Sequence, residues 1–321
     1  MPRNLRLAIL KCSVAIGLCL ALCVAVAGAG HRVRFAPKFF AGQTLRYRIE
    51  SRTMTTGQTT TPIANPEGGT QASLLIHVLV RLDVLDAPQA GATRIRATYE
   101  KSSAESDSDA YDPGQPSLAD RYAQLEGHSI EFALEPGGRL GDVKGLDDIL
   151  PDASAAQSAM SWLGGLSTGG FPRDGVQVGQ KWRGERAFQG APLAGLSWRV
   201  ESTYLRDEPC NAPGAPAASD SCAVILSHFE ISRAGSPHAD ATPEDYRRNG
   251  LRVSGAWTGS GEGLDSISLS SGLLIRSTQT TDQQMDYQIA SASTGSSIRR
   301  KGQVHAQSEI TLVPATAAGS S

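Results

Sequence analysis

Cysteine is scarce in this 321-residue sequence, and beyond residue 23 the two cysteines are Cys210 and Cys222. Their spacing differs from the Cys-x-x-Cys pattern of redox-active sites, so thiol redox chemistry is not indicated. Long basic runs are also missing, since Arg299-Arg300-Lys301 is only a three-residue patch. The 30 Lys and Arg residues are nearly balanced by 32 Asp and Glu residues. A net charge of −2 gives no general attraction to nucleic acid, which we do not expect as a partner.

An apolar run long enough to span a bilayer permanently is not found at the N-terminus. The stretch from Cys12 to Val26 has roughly fifteen residues, against the ~20 that a transmembrane helix needs. Basic residues precede it, and the small residues from Ala27 to Gly30 follow it. This order predicts a secretory signal peptide over residues 1–29, a periplasmic or secreted protein, and no stable membrane span after cleavage. An uncleaved anchor is the open alternative.

Export makes a disulfide the simplest interpretation of Cys210 and Cys222, because exported compartments are oxidising. The segment between them contains Pro, Gly, Ala and Ser and no apolar residue larger than Ala. We therefore predict a loop between strands at Ser197–Asp207 and Ala223–Ile231, closed by a bond that pins the strand register. Closing a loop of about a dozen residues contributes on the order of 3 kcal/mol.

Period-two alternation dominates the rest of the chain. In Ser73–Leu85 one face carries an aliphatic stripe, made of Leu74, Ile76, Val78, Val80, Leu82 and Val84. Similar alternation predicts further strands at Leu45–Ile49, Ile95–Tyr99, Ile130–Leu134, Trp198–Tyr204, Ile225–Ile231, Val253–Trp257 and Ile310–Leu312. Short connections favour antiparallel pairing. The predicted fold is mainly β (α+β): a large curved antiparallel sheet or half-barrel meander with one or two helices packed against it.

Two helices interrupt the predicted strands. Ser117 caps a short one that stops at Gly127, and the longer one runs from Asp147 to Leu166 with small residues along its apolar stripe. Polar composition predicts loops at Thr55–Thr70, Ser102–Gln115 and Ser236–Asn249. We expect residues 30–314 to form a single β-rich domain, or two sub-sheets that meet near residues 167–175, and residues 315–321 to form a disordered tail.

Three stretches carry a resemblance: FFAGQTLRYRI from Phe39, GVQVGQKW from Gly175, and GSGEGLDSISLSSGLLIRS from Gly259. They resemble recurring segments of uncharacterised exported bacterial β-rich proteins, a domain of unknown function. The layout of a curved sheet with a helix against it is similar to the half-barrel of periplasmic lipoprotein carriers. The resemblance implies no catalytic residue, and the architectural analogy does not identify a ligand.

Motifs that suggest catalysis or metal binding have simpler explanations. Gly165–Gly169 matches Gly-x-Ser-x-Gly with Ser167 as nucleophile, but it follows a predicted helix, whereas a nucleophile elbow follows a strand. Gly259–Gly263 resembles a phosphate loop without a following helix, so glycines in a curved strand are favoured. Asp107, Asp109 and Asp112 depart from calcium-loop spacing. We predict no catalytic residue, no metal and no cofactor.

The predicted function is that of an exported non-enzymatic binding module. An apolar groove inside the curved sheet would hold a lipid or lipidated peptide. Its predicted lining combines the aliphatic stripe with aromatic residues: Leu74, Ile76, Val78, Val80, Trp162, Trp198 and Trp257. The main alternative is an envelope-associated structural or assembly factor with a filled core, and a hydrolase using Ser167 is a minor one.

Overall fold

A computed structural model describes residues 32–60, 69–88, 91–108, 118–135, 140–145, 171–187, 192–210, 220–233, 236 and 238–314. The predicted signal peptide, the predicted Asp147–Leu166 helix with Trp162, Ser167 and the C-terminal tail lie outside these residues.

The described chain is built almost entirely of strands. Their bounds are β1 Thr44–Thr60, β2 Gly69–Asp86, β3 Thr93–Ser108, β4 Ser129–Leu134, β5 Leu140–Lys144, β6 Lys181–Ala187, β7 Leu196–Pro209, β8 Ser221–Arg233, β9 Leu251–Ser268, β10 Leu274–Ser291 and β11 Ser297–Val313. The described helices are short, α1 over Leu118–Ala123 and α2 over Glu244–Arg248. Neither is long and apolar enough to cross a membrane.

The eleven strands form one sheet in the order β5-β4-β3-β2-β1-β11-β10-β9-β8-β7-β6. Each pair of neighbours is antiparallel, and the sheet is not closed. Apart from β1 and β11, strands that are neighbours in the sheet are also neighbours in sequence. The topology is therefore a meander. The predicted class, a mainly β protein with a large curved antiparallel sheet and few helices, is confirmed.

Several strands extend into segments that the sequence predicted as loops. β1 continues to Thr60, β2 starts at Gly69, and β3 reaches Ser108. The loop predictions were wrong there because continuous pairing with the next strand holds even polar residues extended, as between Gln58 and Gly69. Polar composition reports exposure to water and does not exclude a strand.

Alternation sorts the side chains of the sheet onto an apolar face and a polar face. The apolar face carries Tyr47 of β1, and the register places Val80 of β2 and Leu312 of β11 beside it. The polar face carries cross-strand ion pairs such as Arg96–Glu131 (2.7 Å) and Arg276–Glu309 (2.9 Å). A half-buried sheet requires this separation of side chains, and a shift of one residue in register would invert it.

One end of the apolar face is filled by a packed cluster, which we call the first cluster. It joins strand residues such as Val80, Tyr99 and Ile225 to residues outside the sheet. Phe35 lies there with its ring centroid 4.8 Å from that of Phe171 and 5.6 Å from that of Tyr204. At this end the apolar face is core.

The predicted disulfide between Cys210 and Cys222 is present. β7 and β8 pair up to Pro209 and Ser221, so the bond closes the hairpin at the ends of the two strands, as predicted. Both cysteines are buried and pack against Ile275, and Leu312 lies against the same small cluster. The bond thus ties the facing ends of β7 and β8 to a small apolar cluster.

Candidate functional site

The predicted lining residues on β2 divide between core and partly open surface. Val78 and Val80 are buried in the first cluster, Val80 with no exposed area. Ile76 is half-buried against that cluster, and Leu74 is half-buried one step further along the same face. The stripe therefore runs from a filled core towards a more open region.

The two described tryptophans of the predicted lining, Trp198 and Trp257, lie in another group at the other end of the apolar face. This second cluster has six buried members: Leu193, Leu196, Ile231, Ala241, Val253 and Tyr287. Half-buried side chains pack on it: Trp198, Tyr246, Trp257, Met285 and Ile289. The structure therefore separates the predicted lining into two clusters.

Specific contacts fix both rings. The Trp257 ring stacks on Tyr287 with centroids 6.2 Å apart and an interplanar angle of 6°, and its Nε1–H donates a hydrogen bond to Gln283 Oε1 at 3.0 Å. The Trp198 ring meets Phe229 edge to face, with centroids 5.4 Å apart. Paired rings with one satisfied polar group make a rigid apolar surface that remains partly open to solvent.

β10 contributes side chains to the second cluster that the predicted lining does not include. Met285, Tyr287 and Ile289 alternate along this strand and support Trp257 and Val253 of β9. The period-two signal was present, but the intervening Asp286 and Gln288 and the glutamines before Met285 diluted it. Counting matches to a strand template over residues 283–291 would have found it.

The glycines of GSGEG lie inside β9, where all three fall on the apolar face. A Cβ at Gly261 would lie 2.2 Å from the Thr280 carbonyl oxygen, and one at Gly263 would lie 3.0 Å from the Phe229 ring. The interpretation as glycines of a curved strand agrees with this placement, because they permit a close approach of β8 and β10 to β9.

A carboxyl group interrupts the apolar face between the two clusters. Asp265 pairs in register with Ile225 and Ser277. Burial raises the pKa of Asp265, and a hydrogen bond with Ser277 only partly opposes this shift. The polar face behaves differently: at Asp286 the Arg299 guanidinium lowers the carboxyl pKa through hydrogen bonds of 2.8 Å.

The polar face also contains a depression of about 750 Å³ across four central strands, β1, β11, β10 and β9. Its lining comprises eight residues whose side chains lie on the polar face and three residues in register between them: Met54, Thr56, Thr258, Ser260, Asp282, Gln284, Gln303 and His305, and between them Gly259, Gln283 and Val304. None of these residues belongs to the predicted lining, which was placed in an apolar groove on the opposite face. Among the described residues, no three metal-binding side chains converge.

Fold and surface define a protein built on an open antiparallel β-sheet with one apolar and one polar face. The sequence matches no protein-family model and no curated protein, so the resemblance to exported bacterial proteins stays a prediction. Among solved structures, one titled "Lipid-protein interactions in lipovitellin" is similar over 88% of this chain, with 12% identity and a TM-score of 0.46. The match spans 27% of the lipovitellin chain.

Proposed function

We propose that this protein binds a lipid or lipidated peptide on the apolar face of its sheet, at the second cluster. The observation that carries the proposal is the partly open group of Trp198, Trp257, Met285 and Ile289 on that face. Binding sites for acyl chains require apolar and aromatic side chains that a ligand can cover.

A basic side chain at the edge of the second cluster favours a ligand that is an amphiphile with an anionic head group. Arg300 pairs in register with Tyr287, so it lies on the same face at the border of the cluster. It is exposed, and within the described part of the chain it has no ion-pair partner. A guanidinium in this position can hold a carboxylate or phosphate group while the tail covers the rings.

The first experiment is native mass spectrometry of the protein purified from the exported fraction without detergent, followed by organic extraction. We expect about one bound amphiphile per chain, released by the solvent. Stripped protein is then titrated with palmitate. An empty protein that also fails to bind palmitate would contradict the proposal.

Substitutions on one strand separate the two faces. Trp257→Ala removes the stacked ring and should weaken palmitate binding about tenfold or more, as expected for a buried aromatic anchor. The matched control is Leu264→Ala, because Leu264 lies on the polar face of β9 and is 40% exposed. Trp257→Phe keeps a ring and should retain most of the affinity. An equal loss of palmitate affinity in both alanine variants would indicate that they unfold, so the unfolding midpoint of each variant is also measured.

A second candidate function is an envelope-associated structural or assembly factor that acts through its loops. The filled first cluster favours it, because Phe35 and Phe171 already occupy one end of the apolar face. An empty protein with an intact disulfide would favour this function. The hydrolase alternative depends on Ser167, outside the described residues.

A further inference from the structure

The depression on the polar face is lined by two rows of four side chains. The strand register places Met54, His305, Asp282 and Ser260 side by side in one row. The second row, two residues along each strand, is Thr56, Gln303, Gln284 and Thr258. From the usual strand spacing and rise per residue, the array measures about 14 Å across the strands and about 7 Å along them. This area is large enough to contact several linked sugar-sized rings.

The array is almost neutral. Its two ionisable members, His305 and Asp282, contact each other through Nδ1 and Oδ1 at 2.7 Å. The Asp282 side chain is 73% exposed, which leaves acceptor capacity directed to solvent. A phosphate or sulfate group would require unpaired arginine or lysine among the lining residues, and none of the lining residues is an arginine or lysine.

The second row, together with Ser260 of the first row, offers hydrogen-bonding groups that neighbouring side chains do not use. Within the described residues, the side chains of Gln284, Gln303, Thr56, Thr258 and Ser260 make no hydrogen bonds. Each amide both donates and accepts, and each hydroxyl does the same. Met54, 38% exposed, adds an apolar surface at one end of the array.

We propose that this depression binds a neutral oligosaccharide. Sugar hydroxyl groups both donate and accept hydrogen bonds, which matches the mixed donors and acceptors of the two glutamines and three hydroxyl side chains. The C–H face of a sugar ring can lie on Met54. The site is on the face opposite the second cluster and is independent of the proposed lipid binding.

The test is a titration of isotope-labelled full-length protein with maltotriose, cellotriose and tri-N-acetylchitotriose, followed by NMR of the backbone amides. Trigalacturonate serves as the charged comparison. We expect at least one neutral trisaccharide to shift the amide signals of the lining residues. If none of the neutral sugars shifts them, or if only trigalacturonate does, the proposal is overturned.

Amide side chains on the same strands supply matched variants. Gln284→Ala with Gln303→Ala should weaken binding about tenfold or more, because two amides lose their hydrogen bonds to the ligand. Gln288→Ala with Gln307→Ala alters exposed amides of β10 and β11 outside the depression and should change affinity less than about twofold. Unchanged affinity in the first pair would refute the site. Trp257→Ala should leave sugar binding intact, so lipid and sugar binding are scored separately.

Discussion

At the scale of single residues, Asp265 is the least expected side chain of the apolar face. Most carboxylates of the sheet lie on the polar face and face a cation, as Glu131 faces Arg96. Asp265 instead has Ile225 and Ser277 as its register neighbours, and burial raises its pKa. A carboxyl in such surroundings favours its neutral form.

This shift predicts a pH dependence of stability. The folded state holds the Asp265 proton more tightly than the unfolded chain does, so its contribution is present at low pH and is lost as pH rises towards the folded pKa. Asp265→Asn keeps a hydrogen-bonding partner for Ser277 and removes the ionisation. We expect the variant to gain stability over the wild type as pH rises from acid to neutral. Urea unfolding at several pH values measures this, and parallel pH profiles for the two proteins would contradict it.

At the scale of elements, the glycines of β9 decide how tightly the strands around it pack. Their lack of side chains on the apolar face permits contacts of β8 and β10 that any Cβ would obstruct. The alternating glycines of GSGEG therefore have a structural explanation.

Adding one methyl group to this stretch of β9 should lower the free energy of unfolding. Gly261→Ala would bring a Cβ to 2.2 Å from the Thr280 carbonyl oxygen, and overpacking of this kind costs about 1–3 kcal/mol. Gly184→Ala is the control, because Gly184 lies in β6 with nothing within 4 Å of its Cβ position. We expect chemical denaturation to show a clearly lower free energy of unfolding for Gly261→Ala and almost no change for Gly184→Ala. Equal stability of the two would show that the β9–β10 contact can relax.

At the scale of the whole molecule, the segment before β1 ties distant parts of the sheet together. Val33 pairs with Val176, the Lys38 amide donates to the Ser271 carbonyl oxygen at 2.8 Å, and Phe35 enters the first cluster. These contacts join the chain before β1 to the segment before β6 and to the β9–β10 turn. An open sheet needs such covering, because a sheet face left in water gains no burial energy.

Truncating Phe35 tests that covering role. Phe35→Ala should lower the free energy of unfolding by about 3–5 kcal/mol, the usual cost of removing a buried phenylalanine ring. Phe40→Ala changes the same residue type nearby, at a position that is 64% exposed, and should have little effect. Calorimetry of both variants measures the difference. Comparable melting temperatures would show that the Phe35 ring does not stabilise the sheet.

The sequence by itself determined the fold class, the disulfide and the separation of each strand into two faces. These follow from local physics: alternation sets the faces, and an even cysteine pair beside predicted strands sets the bond. The sequence did not determine strand length, because pairing with a neighbour extends strands through polar segments such as Thr55–Thr60.

Tertiary structure alone decided which side chains meet. It divided the predicted lining into a filled core around Val80 and a partly open cluster around Trp257. It also assembled Gln284 and Gln303 with His305 and Asp282 on the opposite face. Such groupings depend on the registers between four strands, of which β1 lies far in sequence from the consecutive strands β9, β10 and β11. No local pattern contains that information, since each strand specifies its own faces but not the residue that it places beside a neighbour.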